Sequence, residues 1–209
     1  MWTEEEGIKK EGNNMGAYFT EELRKIKTIV PQMTVTNWSG FNNQPTNDGL
    51  EIGSDSASDV GKCTIWGTTY ATGALTYETI TLTGTTYVAI SKLTWGNVYG
   101  VFLGEANGKK ITRAVGTITV REASANQAVT TVTAGNFQKG MACFNCQGQV
   151  VQFSNYSGTL YWSTLTEAVT SSTGVTEVGV VNVPVLVTKN LSLISDNTGA
   201  VVQLIVMGG

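Results

Sequence analysis

Histidine is absent from this 209-residue chain, and charged residues make up only 14% of it, against about 25% in typical soluble domains. Without histidine there can be no Ser-His-Asp triad, no histidine general base and no histidine metal ligand. A surface with few charges relies on hydroxyl and amide groups for solvation, which is typical of proteins packed against partners. The sequence therefore favours a structural or interaction protein over an enzyme, and it predicts no cofactor.

An excess of positive charge is also missing, because the formal net charge is -3. Nucleic-acid binding depends mainly on neutralising phosphates, so we expect no nucleic-acid partner. No apolar run approaches the ~20 residues needed to span a membrane. The first residues include Glu4, Glu5 and Glu6, where a secretory signal would be basic and then apolar. We therefore expect no membrane partner and folding in the cytosol without export.

Cysteine is scarce and odd in number: Cys63, Cys143 and Cys146. The last two form a C-x-x-C pair, but the surrounding residues are typical of a strand, where positions i and i+3 point to opposite faces. A zinc site would also lack a fourth ligand. The sequence predicts buried structural thiols, and a disulfide between Cys63 and one of the pair stays an open alternative.

Four acidic residues cluster early in the chain: Asp48, Glu51, Asp55 and Asp59. Such a cluster could supply two carboxylates for glycoside chemistry or oxygen ligands for calcium. The spacing matches no EF-hand loop, so the prediction is that these are solvated loop acids.

Residues 32 to 209 show an almost continuous strand pattern that is rich in Thr, Val and Gly. In residues 117–121 the aliphatic and polar side chains alternate, as on a strand with one buried face. Many short strands between turn signals predict an antiparallel β-sandwich or jelly-roll-like body. Segments 178–187 and 201–207 are apolar on both faces. They are predicted to lie centrally or at an intersubunit surface, because exposed strands of this kind aggregate.

Residues 1–31 are predicted to form a separate N-terminal region, with a polar arm over 1–16 and one helix over 16–29. Phe19, Leu23, Ile26 and Val30 recur with a helical period, and Pro31 would end the helix. This helix could cover one end of the β body or reach a neighbouring subunit. Trp2 in the arm could likewise pack on its own domain or dock on a partner. The predicted partner-binding residues are Trp2, Ile8, Tyr18, Phe19, Leu23 and Ile26.

Aromatic residues offer a second kind of site. Exposed tryptophan on a β-sandwich face can stack on sugar rings, and Trp95, in a predicted turn over 95–97, and Trp162 are the candidate glycan platform. Adjacent strand residues face opposite ways, so at least one of Tyr161 and Trp162 should belong to the core.

Segments 80–87 (ITLTGTTY), 116–120 (GTITV) and 190–196 (NLSLISD), together with the acidic arm and helix, resemble virion structural proteins of tailed bacteriophages. The resemblance is to auxiliary, decoration or fibre-base proteins. It lies in the composition and strand pattern of about 175 residues and involves no diagnostic motif. It implies a non-enzymatic protein of the virion, made in the host cytoplasm. It also implies binding to the major capsid protein or other virion proteins, often as a homotrimer. The alternative is a carbohydrate-binding or receptor-binding β-sandwich module of the tail-fibre type.

Overall fold

A computed structural model of the protein describes residues 26–39, 41, 43–45, 47–164, 174–178, 181–196 and 199–207. All regular structure in that part of the chain is β-strand, and every pairing between strands is antiparallel. The prediction of an all-β body is confirmed. The strands are β1 (Ile26–Val35), β2 (Asp48–Ser54), β3 (Lys62–Thr69), β4 (Leu75–Thr81), β5 (Val88–Phe102), β6 (Ile118–Glu122), β7 (Ala128–Val132), β8 (Gln138–Gly140), β9 (Ala142–Asn145), β10 (Val150–Ser157), β11 (Thr159–Ser163), β12 (Val175–Val178), β13 (Val181–Leu186), β14 (Asn190–Ser195) and β15 (Ala200–Met207).

The chain enters the described structure as a strand, so the predicted helix is wrong for residues 26–29. Strand β1 pairs with β15, and Ile29 lies opposite Ile205. Pro31 does not end a helix but sits within β1, where the pairing register shifts between Val30 and Met33. Proline lacks an N–H donor and is tolerated at such a bulge on an outer strand. The predicted boundary between residues 31 and 32 therefore falls inside a strand. Residues 1–25 lie outside the described residues.

Eight strands form two four-stranded sheets that pack on each other. The first sheet has the order β1-β15-β10-β13, and the second has the order β12-β11-β14-β9. Side chains of β15 alternate between buried and partly exposed along its whole length, because one face of the first sheet meets the second sheet. Phe153 of β10 contacts Trp162 of β11 across this interface, edge to face, with ring centroids 5.5 Å apart.

The chain passes repeatedly from one of these sheets to the other. Strands β9, β11 and β14 belong to the second sheet, while β10, β13 and β15, which follow or precede them, belong to the first. Gly158 joins β10 to β11 with φ of +81°, and a Cβ there would lie 2.2 Å from the carbonyl oxygen of Gly199. Only glycine fits this position without moving the backbone.

Residues 48–140 form a third, seven-stranded sheet between β1 and β9. Its order is β4-β3-β5-β2-β6-β7, and β8 pairs with β5. The segment 95–97, predicted to be a turn, lies inside the 15-residue strand β5. Trp95 is paired there with Asp48 of β2 and Thr69 of β3. Gly96 and Asn97 belong to an irregular stretch of that strand, where the register with β3 shifts.

Two groups of buried side chains hold the sheets together. The larger one joins the inner faces of the two four-stranded sheets to one face of the third sheet. The smaller one, around Trp66 of β3, packs on Cys143 of β9 and Ile194 of β14. Strands β9 and β14 of the second four-stranded sheet are consequently buried on both faces, while the first sheet packs through its inner face.

Candidate functional site

The outward side of the first four-stranded sheet carries a cluster of aliphatic side chains, which we call the outer face. Cross-strand pairing places its members in two rows. Ile29 lies beside Ile205, which lies beside Gln152 and then Pro184, while Met207 lies beside Val150 and then Leu186. Ile29 is 54% exposed and Leu186 is 62% exposed. The outer face comprises Ile29, Val150, Pro184, Leu186, Ile205 and Met207.

Strand alternation explains how this surface arises. In β10 and β15 every second residue points into the core, among them Phe153 and Leu204. The residues between them must therefore point outward, and in this part of the sheet they are aliphatic except for Gln152. The prediction of a segment apolar on both faces is confirmed for β15. That strand is also central in its sheet, between β1 and β10.

Both outer strands of this sheet carry a proline. Pro31 lies in β1 and Pro184 lies in β13. Proline cannot donate a ladder hydrogen bond and so discourages another strand from pairing along that edge. A partner that covers this sheet would therefore approach its face rather than extend it edge to edge.

Five predicted partner-binding residues lie outside the described residues: Trp2, Ile8, Tyr18, Phe19 and Leu23. The sixth, Ile26, is the first residue of β1, and its backbone pairs with Met207. The chain therefore passes from residues 1–25 directly into β1, at one end of the outer face.

The structure contradicts one half of the predicted glycan platform. Trp95 is 0% exposed, because β5 lies inside the third sheet and turns the indole into the main core. Trp162 is only partly buried and packs on that core, while Tyr161 packs on the smaller cluster. The prediction that at least one of this adjacent pair contributes to the core is confirmed.

An exposed aromatic side chain does occur elsewhere, at Tyr77 on β4. Its ring is 36% exposed and lies tilted on Trp66, with centroids 4.5 Å apart. Asn145 Nδ2 donates a hydrogen bond of 2.9 Å to the Tyr77 hydroxyl. Tyr77 and Asn145 line a groove of about 360 Å³ that also includes Lys62, Thr79, Glu105 and Asn107. The strand alternation, which places Tyr77 on the same side as Thr79 and Thr81, is the sequence signal that could have revealed it.

The four clustered acidic residues are bound into the fold rather than simply solvated. Glu51 forms an ion pair with Arg121, 2.5 Å between Oε1 and Nε. Asp48 accepts hydrogen bonds from Ser124 and Gly49. Asp55 accepts one from the Thr117 N–H at 2.7 Å. The prediction of solvated loop acids holds for the exposed Asp55 but is wrong for Asp48 and Glu51, which lie partly buried in β2, and for the buried Asp59.

Asp59 is the most deeply engaged of the four. It accepts hydrogen bonds from Ser54 Oγ at 2.6 Å and from the N–H groups of Val115 and Gly116 at 2.8 and 3.0 Å. Burial by itself would raise the pKa of Asp59. The three hydrogen bonds favour the ionised form more strongly, so the pKa lies below its ordinary value.

All three cysteines are buried free thiols, as predicted. Cys143 belongs to the smaller cluster and Cys146 to the main core, so the two members of the C-x-x-C pair lie on opposite sides. Burial raises the pKa of both thiols to about 12 and raises that of Cys63 further. Buried thiols of this kind are inert as nucleophiles at neutral pH.

The described residues contain neither a metal-ligand cluster nor a membrane-spanning helix. Within them, no three side chains of the Cys, Asp or Glu type gather closely enough to hold a metal ion. The same part of the chain contains no helix long and apolar enough to cross a membrane.

Comparison with family models, with curated proteins and with solved structures finds no match for the chain.

We predict that Asp59→Asn lowers the free energy of unfolding by about 2 kcal/mol at pH 7, since hydrogen bonds to a charged group contribute roughly 1.5–3 kcal/mol. The pKa of Asp59 is lowered in the folded state, so its contribution is present above the unfolded-state pKa of about 4 and is lost as the pH falls below it. Urea unfolding at pH 7 and pH 3 should therefore show the difference between wild type and variant shrinking in acid.

Asp55→Asn is the matched control, because this exposed carboxylate accepts a single backbone hydrogen bond. Equal stability of the two variants at pH 7 would contradict the assignment of Asp59 as the residue that holds the 54–59 loop against 115–116.

Proposed function

We propose that the chain is a non-enzymatic structural protein of a tailed-bacteriophage virion, an auxiliary or decoration protein that binds the head as a homo-oligomer, with a trimer as the favoured state. Its place would be the virion, after synthesis in the host cytoplasm. The observation that carries the proposal is the outer face, an apolar surface on a sheet whose two outer strands each carry a proline.

The strand order supports a jelly-roll assignment. Eight strands lie in two sheets of four, and the chain alternates between the sheets at most connections. This arrangement is the one that jelly rolls adopt, and viral capsid and lectin domains are among the proteins built on it. In this reading, residues 48–140 are an insertion between the first and second jelly-roll strands. The fold alone does not carry a function, so the argument depends on the surfaces.

We assign the outer face to contact between copies of this chain. Soluble monomers rarely expose a contiguous apolar patch of more than a few hundred Å². Burial of Ile29 and Leu186, both more than half exposed in the single chain, would contribute roughly 25 cal/mol for each Å² removed from water. Homo-oligomers usually bury more apolar surfaces than transient complexes do.

The N-terminal region is assigned to binding the head, through the apolar residues Trp2, Ile8, Tyr18, Phe19 and Leu23. The chain passes from this region into β1 at Ile26, beside Met207 of the outer face. An anchor attached at Ile26 would begin beside the contact between subunits. Each subunit of an oligomer could therefore present its anchor on one side of the assembly.

We predict that the double variant Ile29→Lys/Leu186→Lys is a folded monomer, whereas the wild type has about three times the chain mass of 22.2 kDa by light scattering. Two desolvated lysines would oppose a contact that buries the outer face, and both positions are exposed enough in the single chain to tolerate the change.

Val115→Lys is the matched control, because this aliphatic side chain is 61% exposed but lies in the loop before β6, outside the outer face. A wild type that is monomeric at all concentrations, or a double variant that keeps its oligomeric mass, would count against the assignment.

Removal of residues 1–25 should abolish binding to heads while leaving the oligomer intact, measured by co-sedimentation with particles and by light scattering. The truncation must stop before Ile26, because a cut at residue 30 would remove half of β1 and its pairing with β15. A truncated protein that still co-sediments with heads as the full chain does would disprove the anchoring role.

The second candidate, a carbohydrate-binding or receptor-binding module, is favoured by the exposed Tyr77 ring and the polar groups around it. Sugar rings stack on exposed aromatic faces, and the amides and charges in the groove could bind hydroxyl groups. If the groove binds glycans, Tyr77→Ala should eliminate glycan-array signals that the wild type gives. Tyr70→Ala, at an exposed tyrosine outside the groove, should leave them unchanged, and equal loss in both variants would exclude the groove.

A further inference from the structure

A cleft of about 430 Å³ runs along β1 where that strand meets β7, β8 and the loop between them. Thr36 N–H donates a hydrogen bond of 3.2 Å to the Gly140 carbonyl at one end, which ties the first sheet to the third. The volume lies in the range of small-molecule sites, about 300–1,000 Å³. The cleft shares no residue with the Tyr77 groove.

The charge of the cleft is opposite to that of the whole chain. Arg113 and Lys139 line it, and none of its lining residues is acidic, although the chain carries a net charge of -3. Within the described residues, neither cation forms an ion pair. A concave site lined by charge of one sign attracts ligands of the other sign.

The guanidinium of Arg113 is held in place by two contacts. Its Nη1 donates a hydrogen bond of 2.8 Å to the Gly135 carbonyl, and its Cζ lies 5.1 Å from the centre of the Phe137 ring. A guanidinium has five N–H donors, so one bond to Gly135 leaves others for a ligand. A fixed, planar guanidinium suits bidentate binding of a carboxylate or phosphate.

Gln138 gives an independent sign of a ligand. This side chain is only 8% exposed and lines the cleft. Its Nε2 donates a hydrogen bond to the Gly140 carbonyl, which fixes the direction of the amide. Its Oε1 is buried and has no hydrogen-bond partner among the groups that the structure describes. A buried acceptor left unpaired is unfavourable, and a ligand hydroxyl that reaches this oxygen would satisfy it.

The remaining walls are rich in groups that bind hydroxyls. They include Gln32, Thr34, Thr131, Thr133 and Asn136, beside the apolar Met33 and Val201. A saccharide offers many hydroxyl groups together with C–H faces, so it matches both kinds of wall. A simple inorganic anion would use only the two cations.

From these observations we propose that the cleft between β1 and β7–β8 binds an acidic saccharide, with its charged group on Arg113 and Lys139 and a hydroxyl on Gln138. The charged group is a carboxylate or a phosphate, because the guanidinium fits both. This proposal is independent of the virion role, since it uses only residues of the cleft and holds for any location of the protein.

Calorimetric titration of the full chain tests the proposal with four probes: an oligogalacturonate, a neutral galactose oligomer of the same length, a sugar phosphate and inorganic phosphate. We expect one of the two charged saccharides to bind at least about tenfold more tightly than the neutral oligomer and inorganic phosphate, and to bind less tightly at high salt. Which of them binds identifies the charged group as a carboxylate or a phosphate.

The variants divide the site into its parts. Arg113→Gln and Lys139→Gln should each weaken binding about tenfold, as expected for a charge-assisted contact. Gln138→Met should weaken it without changing its salt dependence, because this variant removes a neutral acceptor. Lys189→Gln is the matched control, an exposed lysine outside the cleft, and should bind as the wild type does.

Several results would overturn the proposal: no binding of either charged saccharide, equal binding of the neutral oligomer, equal binding of inorganic phosphate, or unchanged affinity in both cation variants. Circular dichroism of each variant separates loss of binding from loss of fold.

Discussion

The register of β15 between β1 and β10 is the constraint on which the other features of the molecule depend. It directs Val202, Leu204 and Val206 into the core and leaves Ile205 and Met207 outside. A shift by one residue would exchange the two sets, because side chains alternate strictly along a strand. The same pairing joins the first described strand to the last one, so the chain between them must return to its starting point.

The position of the third sheet depends on the pairing of β1 with β15. The chain enters this sheet after β1 and leaves it before β9. The two faces of the sheet pack against different clusters of buried side chains, one of them around Trp66. Where β8 lies beside β1, the third sheet meets the first four-stranded sheet along the edge of a strand. The cleft with Arg113 and Lys139 lies at that junction, so a surface with charge opposite to that of the chain arises where two sheets of different topology meet.

Polar groups buried near the core explain why a chain with few charges still folds into a specific arrangement. Asp59 binds the 54–59 loop to residues 115 and 116 through three hydrogen bonds. Glu51 pairs with Arg121 on the neighbouring strand, and Arg121 also lies 3.5 Å above the ring of Tyr87. Such contacts satisfy specific partners only, so they select one arrangement of loops among several that would bury similar apolar areas.

Local pattern was sufficient to predict the all-β body and the buried, separated thiols of Cys143 and Cys146. It failed where a tertiary partner overrides local preference. Pro31 looked like the end of a helix, but β15 recruits the flanking residues and places the proline in a bulge. Gly96 and Asn97 looked like a turn, but strands on both sides of β5 hold Trp95 in the core.

The sequence by itself therefore determined the all-β class, the alternation along each strand and the scarcity of charged groups, because these follow from composition and from neighbours along the chain. Only the tertiary structure decided that Ile29 lies beside Ile205, that Trp95 is buried, and that Arg113, Gln138 and Lys139 share a cleft with β1. Those facts depend on strand pairing between distant parts of the chain, and alternation alone does not specify which strand pairs with which.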